Sequence, residues 1–234
     1  MNIFILYGGT SAEHKVSISS GLSIAEAIAD LYNVEMVMYS DQIFKNPQEL
    51  LGCDLVFNAL HGGDGENGVL QTFLDLHRIG YTGSGAKASK IAMDKNLTKL
   101  IARSININTP NWIMIQRDKH VGMQLHDNQS LKFSYPYIVK PSSEGSTFGL
   151  SIVQNESDLE AAIYKAGQFS NDILIEEFIP GRELTVGILG NKPLPIVEIV
   201  PQNSLYDYDC KYTKGMSEYI VPADISDSLQ RSIS

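Results

Sequence analysis

Four stretches of this sequence carry residue types that can do chemistry. The first is Tyr137-Ile138-Val139-Lys140-Pro141-Ser142-Ser143-Glu144-Gly145-Ser146-Thr147-Phe148-Gly149. An apolar run delivers Lys140 to its end, and a loop of small and hydroxylated residues follows. Small residues let backbone N–H groups approach an anion, hydroxyls add donors, and a lysine supplies the point charge that suits phosphate. The same residues also suit a mobile hairpin loop with a snorkelling lysine. The second stretch, Ile173-Leu174-Ile175-Glu176-Glu177-Phe178-Ile179-Pro180-Gly181-Arg182-Glu183, runs from an apolar strand through two carboxylates into a Pro-Gly turn. It can seat a purine, with Phe178 and Ile179 on the ring face and Glu183 on a ribose hydroxyl. A hairpin with solvated charges fits it as well. The third is Ser11-Ala12-Glu13, where Glu13 is either a helix-start carboxylate or a grip for an ammonium. The fourth is His61-Gly62-Gly63-Asp64-Gly65-Glu66-Asn67-Gly68, in which glycines crowd one histidine.

Other reactive residues read as ordinary. His14, His77, His120 and His126 read as surface, and Lys95 with Lys99 as the solvated face of a helix (i, i+4). Tyr206 to Thr213 has no periodicity and reads as a long loop of the kind that forms lids. Asp207 and Asp209 in it suit a metal and equally suit ordinary loop charges. Cys53 and Cys210 lie far apart without CxxC spacing, which argues against a disulfide scaffold or thiolate metal site and fits a reducing compartment. There is no His/Cys metal spacing, no GxSxG elbow and no Walker A motif. No GxGxxG follows the first strand, which excludes a simple Rossmann dehydrogenase.

The elements needed to position these residues alternate at first. Ile3–Tyr7, Val34–Tyr39 and Asp54–Leu60 read as strands, and Ser17–Leu31 and Val69–Leu76 as helices. That order implies a parallel sheet with ligands at the carboxyl ends of its strands, where the glycine loops at 8–9 and 62–65 fall. Ala88–Ile105 reads as one long helix. Beyond it, strands at 112–115, 137–140, 151–153, 173–176, 183–189 and 196–200, with a helix at 156–168, come close enough in sequence for antiparallel pairing in an α+β region. Asp224 reads as the cap of a last helix with apolar positions Ile225, Leu229 and Ile233. That periodicity is still running at Ser234, so the sequence is expected to be cut inside a helix of a longer parent.

The chain has 234 residues, with 18 Lys and Arg against 27 Asp and Glu, a net charge of −9. Hydrophobic residues make up 43 % and charged ones 19 %, a globular composition. The acidic balance argues against nucleic acid as a partner. No apolar run of about 18 residues spans a membrane and no signal-peptide pattern opens the chain, so a cytoplasmic protein is expected.

As an ordered set, these segments resemble the D-alanine–D-alanine ligase family of the ATP-grasp fold. The matching pieces are Gly8 to Glu13 with Val16-Ser17, the His61–Gly68 loop, Tyr81-Thr82-Gly83-Ser84-Gly85 with Met93-Asp94-Lys95, Lys140 to Gly149, Glu176 to Glu183, and Lys211-Tyr212. His14-Lys15, Asn67 and Thr147-Phe148 are small departures. The resemblance implies an N-terminal parallel-sheet, Rossmann-like pre-ATP-grasp domain (1–85), a central ATP-grasp subdomain (86–180) and the start of an incomplete C-terminal ATP-grasp lobe (181–234). It implies ATP-dependent joining of two D-alanines through an acyl phosphate, for peptidoglycan precursors. The partners would be ATP, D-alanine and Mg2+ or Mn2+, in a cytoplasmic homodimer.

It also implies residue roles. Lys95 and Lys140 would hold ATP phosphates, and Lys211 would reach the γ-phosphate. Glu176, Glu177, Phe178, Ile179 and Glu183 would form the adenosine pocket. Glu13 would hold the ammonium of the first D-alanine with His61 nearby, and Ser146 and Tyr212 would join Glu13 in a triad that ties a lid over 203–215. The family's metal ligands and an arginine near the intermediate are expected past Ser234, so this piece is expected to be inactive alone. The competing readings are another ATP-grasp carboxylate–amine ligase and a non-catalytic nucleotide-binding module.

Overall fold

The structure, a computed structural model, describes residues 1–119, 133–203 and 205–233. His120 and His126, and Ser204 of the expected lid, lie outside them.

The N-terminal part is built on a parallel sheet. Strand β1 (Asn2–Gly8) lies between β2 (Asn33–Tyr39) and β3 (Leu55–Asn58), with helices α1 (His14–Ile28) and α2 (Gln42–Lys45) in the connections. Alternate side chains of β1 point to opposite faces, and both faces are covered. Phe4 and Leu6 pack with Tyr39, Ile43, Val56, Leu70 and Leu74. Ile3 and Ile5 pack with Ala59 and against Ile24, Ala25 and Ile28 of α1. A strand buried on both sides reads as a continuous apolar run, which is why β1 is legible in sequence. β3 ends two residues earlier than expected, because the Asn58 side chain accepts from the Leu60 N–H at 3.1 Å and turns the chain.

After β3 come α3 (Gly63–Glu66) and α4 (Val69–Leu76), then α5 (Ala86–Met93) and α6 (Lys95–Ser104). The single long helix expected over 88–105 is two. Asp94 takes extended backbone angles (φ −81°, ψ 102°) and caps α6 by accepting from the Leu97 N–H at 3.1 Å.

The middle of the chain forms an antiparallel sheet in the order β4 (Trp112–Gln116), β7 (Asp172–Glu177), β5 (Tyr137–Pro141), β6 (Ser151–Val153). Helix α7 (Leu159–Ala166), preceded by a 3-10 turn at Glu156–Asp158, covers one face through Ile115, Tyr137, Val139, Ile173 and Ile175. By the period of two, Lys140 and Glu176 belong to the other face. The register sets Lys140 opposite Leu174 and Ile138 opposite Glu176, so the two charged residues are diagonal neighbours.

A third sheet contains β8 (Glu183–Thr185), with β9 (Ile188–Leu189) and β10 (Lys192–Pro193) forming a separate hairpin before β11 (Val197–Pro201). The strand expected over 183–189 is thus two short ones in different sheets, separated at Gly187. The expected loop at 206–213 contains α8 (Tyr208–Tyr212), whose first turn is capped by Asp207 accepting from the Cys210 N–H at 2.9 Å. Five residues are too short to show periodicity. Strand β12 (Ser217–Ile220) pairs with β11, and α9 (Asp227–Ile233) follows. Asp224 does not cap α9. Its carbonyl accepts from Arg182, and Ser226 Oγ accepts from the Leu229 N–H at 3.3 Å instead. Among the described residues no helix is long and apolar enough to cross a membrane.

Candidate active site

A cleft of about 690 Å3 lies between the N-terminal part and the antiparallel sheet. Lys95 at the start of α6, Lys140 at the end of β5 and Lys211 in α8 all line it, together with Gly145, Ser146 and Thr147. Three cations from three separated stretches therefore face one space.

Each lysine is held by its own chain. Lys95 Nζ donates to the Glu144 carbonyl at 2.5 Å and to the Ser142 carbonyl at 3.4 Å. The Lys95 N–H donates to Ser142 O at 3.0 Å, so the 142–149 loop is stitched to α6. Burial, and then the positive charge of Lys140, pull the Lys95 ammonium from 10.5 down to about 8. Burial also raises Glu144 above the usual carboxylate range. Lys140 Nζ forms an ion pair with Glu176, and Lys211 Nζ lies 5.3 Å from the centre of the Tyr206 ring. Glu176 has a second cation, with Lys99 Nζ 2.9 Å from Oε2. Lys99 also donates to Thr109 Oγ1 at 2.7 Å and sits over the Trp112 ring. It is 8 % exposed, which corrects its reading as part of a solvated face. Burial lowers its pKa.

Glu13 precedes α1 and is 6 % exposed. It does not cap the helix. Ser146 Oγ donates to its Oε1 at 2.5 Å and Tyr212 OH at 2.9 Å, while the two hydroxyls lie 3.3 Å apart. Burial raises the Tyr212 pKa, which keeps its donor proton in place. The partners lie 133 and 199 residues away in sequence, so this carboxylate gathers the first loop, the 142–149 loop and α8. Both bonds use Oε1, and among the described residues Oε2 accepts none. A Cβ added at Gly62 or at Gly145 would sit 3.0 Å from Oε2. Glycine at both places leaves the carboxylate room on the side where an ammonium would approach. Ser146 and Thr147 hold left-handed backbone (φ 44° and 61°), a local cost typical of functional loops.

His61 lies against the first loop, lining a small cavity with Gly8, Gly9, Ser11 and Tyr39. Its carbonyl accepts from Ser11 Oγ at 2.6 Å, and its Nε2 lies 3.0 Å from Ser20 Oγ. Asp64 accepts from Tyr39 OH at 2.9 Å. His14 is half-buried rather than surface, its Nδ1 2.8 Å from the Gly9 carbonyl. His77 is exposed and packs on Phe73.

The 176–183 stretch is less concentrated. Glu176 meets the cleft through Lys140. Glu177 Oε2 accepts from Asn111 Nδ2 at 3.1 Å, the Phe178 N–H donates to the Pro136 carbonyl, and Ile179 and Glu183 are exposed. None of these four lines the 690 Å3 cleft. Sequence reasoning assigned no role to Ser20 or Thr109, matched Ser17 only as part of a family segment, and presented Lys99 as a solvated charge. The spacing of Glu13, Ser17 and Ser20 along one helix face was the available signal.

Comparison with known proteins matches two family segments, described as the D-ala D-ala ligase N-terminus over residues 38–84 and the D-ala D-ala ligase C-terminus over residues 101–234. The D-alanine–D-alanine ligase of Halalkalibacterium halodurans is 44 % identical over 234 residues, covering 97 % of this chain and 74 % of that protein. The ligase of Haemophilus ducreyi is also 44 % identical, over 94 % of this chain and 72 % of its own length. The crystal structure of the D-alanine–D-alanine ligase of Bacillus anthracis superposes with a TM-score of 0.84 at 30 % identity, over 99 % of this chain and 74 % of that one. The same ligase complexed with ATP gives 0.81 at 29 %. The mixed parallel and antiparallel sheets are thus those of an ATP-grasp fold. On these matches, and with a cleft of three lysines beside a shared carboxylate, the chain belongs to the D-alanine–D-alanine ligase family and is a ligase of that kind.

Proposed function

We propose that this chain binds ATP along the lysine-lined cleft and a first D-alanine at Glu13, for the joining of two D-alanines through an acyl phosphate. The observation that carries the reading is that Lys95, Lys140 and Lys211 line one cleft with the loop whose Ser146 bonds Glu13. When bound, ATP would supply the phosphoryl group that converts the substrate carboxylate into an acyl phosphate with release of ADP, and the amine of the second D-alanine would then displace phosphate from it.

The chain's own residues would then divide the work. The three lysines, with N–H groups of the 142–149 loop, offset the phosphate charge. Glu13 Oε2 takes the ammonium, while Ser146 and Tyr212 fix the carboxylate's position from Oε1. Because Glu13 belongs to the N-terminal part and the two hydroxyls to the 142–149 loop and α8, the same bonds hold the cleft closed and keep water from the activated carboxylate. The 176–183 stretch is assigned to adenosine, and His61 to the first D-alanine. The reading divides the chain into units at 1–85, 86–180 and 181–234. It places the product in cytoplasmic peptidoglycan precursor synthesis.

Magnesium is also part of the reading, as the companion of ATP. Among the described residues no group of three or more His, Cys, Asp or Glu side chains fits a metal ion, so none of the roles above runs through one.

Calorimetric titration with ATP tests the reading. Lys95→Ala and Lys140→Ala should each weaken ATP by about tenfold or more, the worth of a charge-assisted contact. Glu13→Gln should leave ATP affinity near that of the parent chain and abolish D-alanine binding. ATP affinity indifferent to both lysines would overturn the assignment.

A further inference from the structure

Helix α1 carries more of the site than Glu13. Glu13, Ser17 and Ser20 follow at i, i+4 and i+7, so they share one face of the helix. That face looks onto the ends of β1 and β3. Ser17 is fully buried; its Oγ accepts from the Gly8 N–H at 2.8 Å and donates to the Ala59 carbonyl at 2.7 Å. It therefore locks α1 to both strand ends. One turn further on, Ser20 Oγ lies 3.0 Å from His61 Nε2, and this is the hydroxyl's one hydrogen bond among the described residues. The His61 carbonyl is fixed separately by Ser11 Oγ. His61 is thus held at its backbone by one serine and at its ring by another, on a loop whose next residue, Gly62, abuts the Glu13 carboxylate.

We propose that Ser20 is a positioning residue for His61, holding the imidazole in one orientation so that Nδ1 is the nitrogen left to the first-substrate pocket. An imidazole on a glycine-rich loop would otherwise exchange ring orientations, and a partner on Nε2 leaves Nδ1 as the nitrogen presented to the pocket. The serine rests on a helix that Ser17 makes immobile relative to Glu13. One rigid element thereby sets both the carboxylate and the histidine. The proposal deepens the reading of the His61 loop as the first D-alanine pocket and depends on it.

Nitrogen-15 NMR of the histidine side chains tests it directly, at a pH where the His61 ring is neutral. In the parent chain the hydrogen bond should displace the His61 Nε2 signal from its position in a free imidazole. Ser20→Ala should return that signal to the free-imidazole position, and Ser20→Thr, which keeps a hydroxyl, should restore the displacement. D-alanine affinity, titrated alongside, should fall roughly fivefold to tenfold in Ser20→Ala, the worth of one hydrogen bond, with ATP affinity unchanged. A His61 spectrum indifferent to Ser20→Ala overturns the proposal. So does a spectrum that changes with no change in D-alanine affinity, provided His61→Asn weakens D-alanine. If His61→Asn itself binds D-alanine as the parent does, the pocket reading is at fault and the proposal falls with it.

Discussion

Lys95 sits in conflict between two environments. Burial and Lys140 disfavour its charge, yet its proposed role at the ATP phosphates needs that charge, and its pKa falls to about 8. The sign of the consequence differs for the two properties that it touches. In the unfolded chain the lysine keeps its proton up to its ordinary 10.5. Between about 8 and 10.5 the unfolded state therefore binds more protons, and stability rises with pH. The cost of the buried ammonium is fully present below about 8 and is relieved above it. ATP affinity runs the other way, because above about 8 a proton must be taken up on binding. Titration from about pH 7 to about pH 9.5 should show ATP binding weakening while thermal stability of the free chain improves relative to Lys95→Met. Parallel behaviour of parent and Lys95→Met in both would refute the account. At Glu13 the effect is local. Tyr212→Phe removes one donor to Oε1 and should cost about 1 kcal/mol of closure, read as roughly fivefold faster amide exchange over 205–216. Unchanged exchange there would mean that the bond does not hold the segment.

At the scale of elements, α1 packs closely on β1 because Gly21 has no side chain. A Cβ there would meet Tyr7 Cβ at 2.6 Å. Alanine would gain about 1 kcal/mol in helix propensity but force the helix outward at about 1–3 kcal/mol. Gly21→Ala should therefore destabilise the chain by about 1 kcal/mol in urea unfolding, and a stabilised variant would show that the helix can shift freely. The same helix shows what sequence can convey. Its apolar period and β1's unbroken Ile-Phe-Ile-Leu run were legible, because burial of a face imposes a pattern on its own residues. The split at Asp94 was not. The periodicity passes through it without glycine or proline, and the break goes with the contact of α6 with Ser142 across the cleft. α8 was missed because it is one turn long and defined by a cap. Lys140 and Glu176 were each recognisable as polar residues at the ends of apolar strands. That they pair with each other depends on the register of β5 on β7, which neither strand encodes alone. The roles assigned to Lys95, Glu13 and Tyr212 came from resemblance to a family rather than from spacing, whereas Ser20 had only its spacing from Glu13 and Ser17, and Lys99 had the pattern of any solvated helix lysine.

For the whole molecule the decisive ties are long-range and polar. The apolar clusters hold the parallel sheet and the four-stranded antiparallel sheet each to its own helices, whereas Glu13 and Glu176 connect parts that no cluster joins. Glu176 stands in β7 between Lys99 of α6 and Lys140 of β5, with side chains 8 %, 10 % and 20 % exposed. A buried carboxylate between two ammonium groups is costly to desolvate and far more costly to break, since removal of the carboxylate strands two cations of the same sign. The tie therefore does more to hold α6, and Lys95 at its start, in one arrangement than to add net stability. Those two roles separate experimentally. Glu176→Gln alone should destabilise the chain by about 3 kcal/mol, within the range for an uncompensated buried charge. Glu176→Leu combined with Lys99→Met should recover much of that loss, because one stranded cation is removed and apolar volume takes its place. The same double variant should still bind ATP poorly, because Lys140 has lost its holder and α6 its anchor on the sheet. Urea unfolding measures the first pair of outcomes and calorimetry the last. A double variant that regained both stability and ATP affinity would show that the ion triad positions nothing.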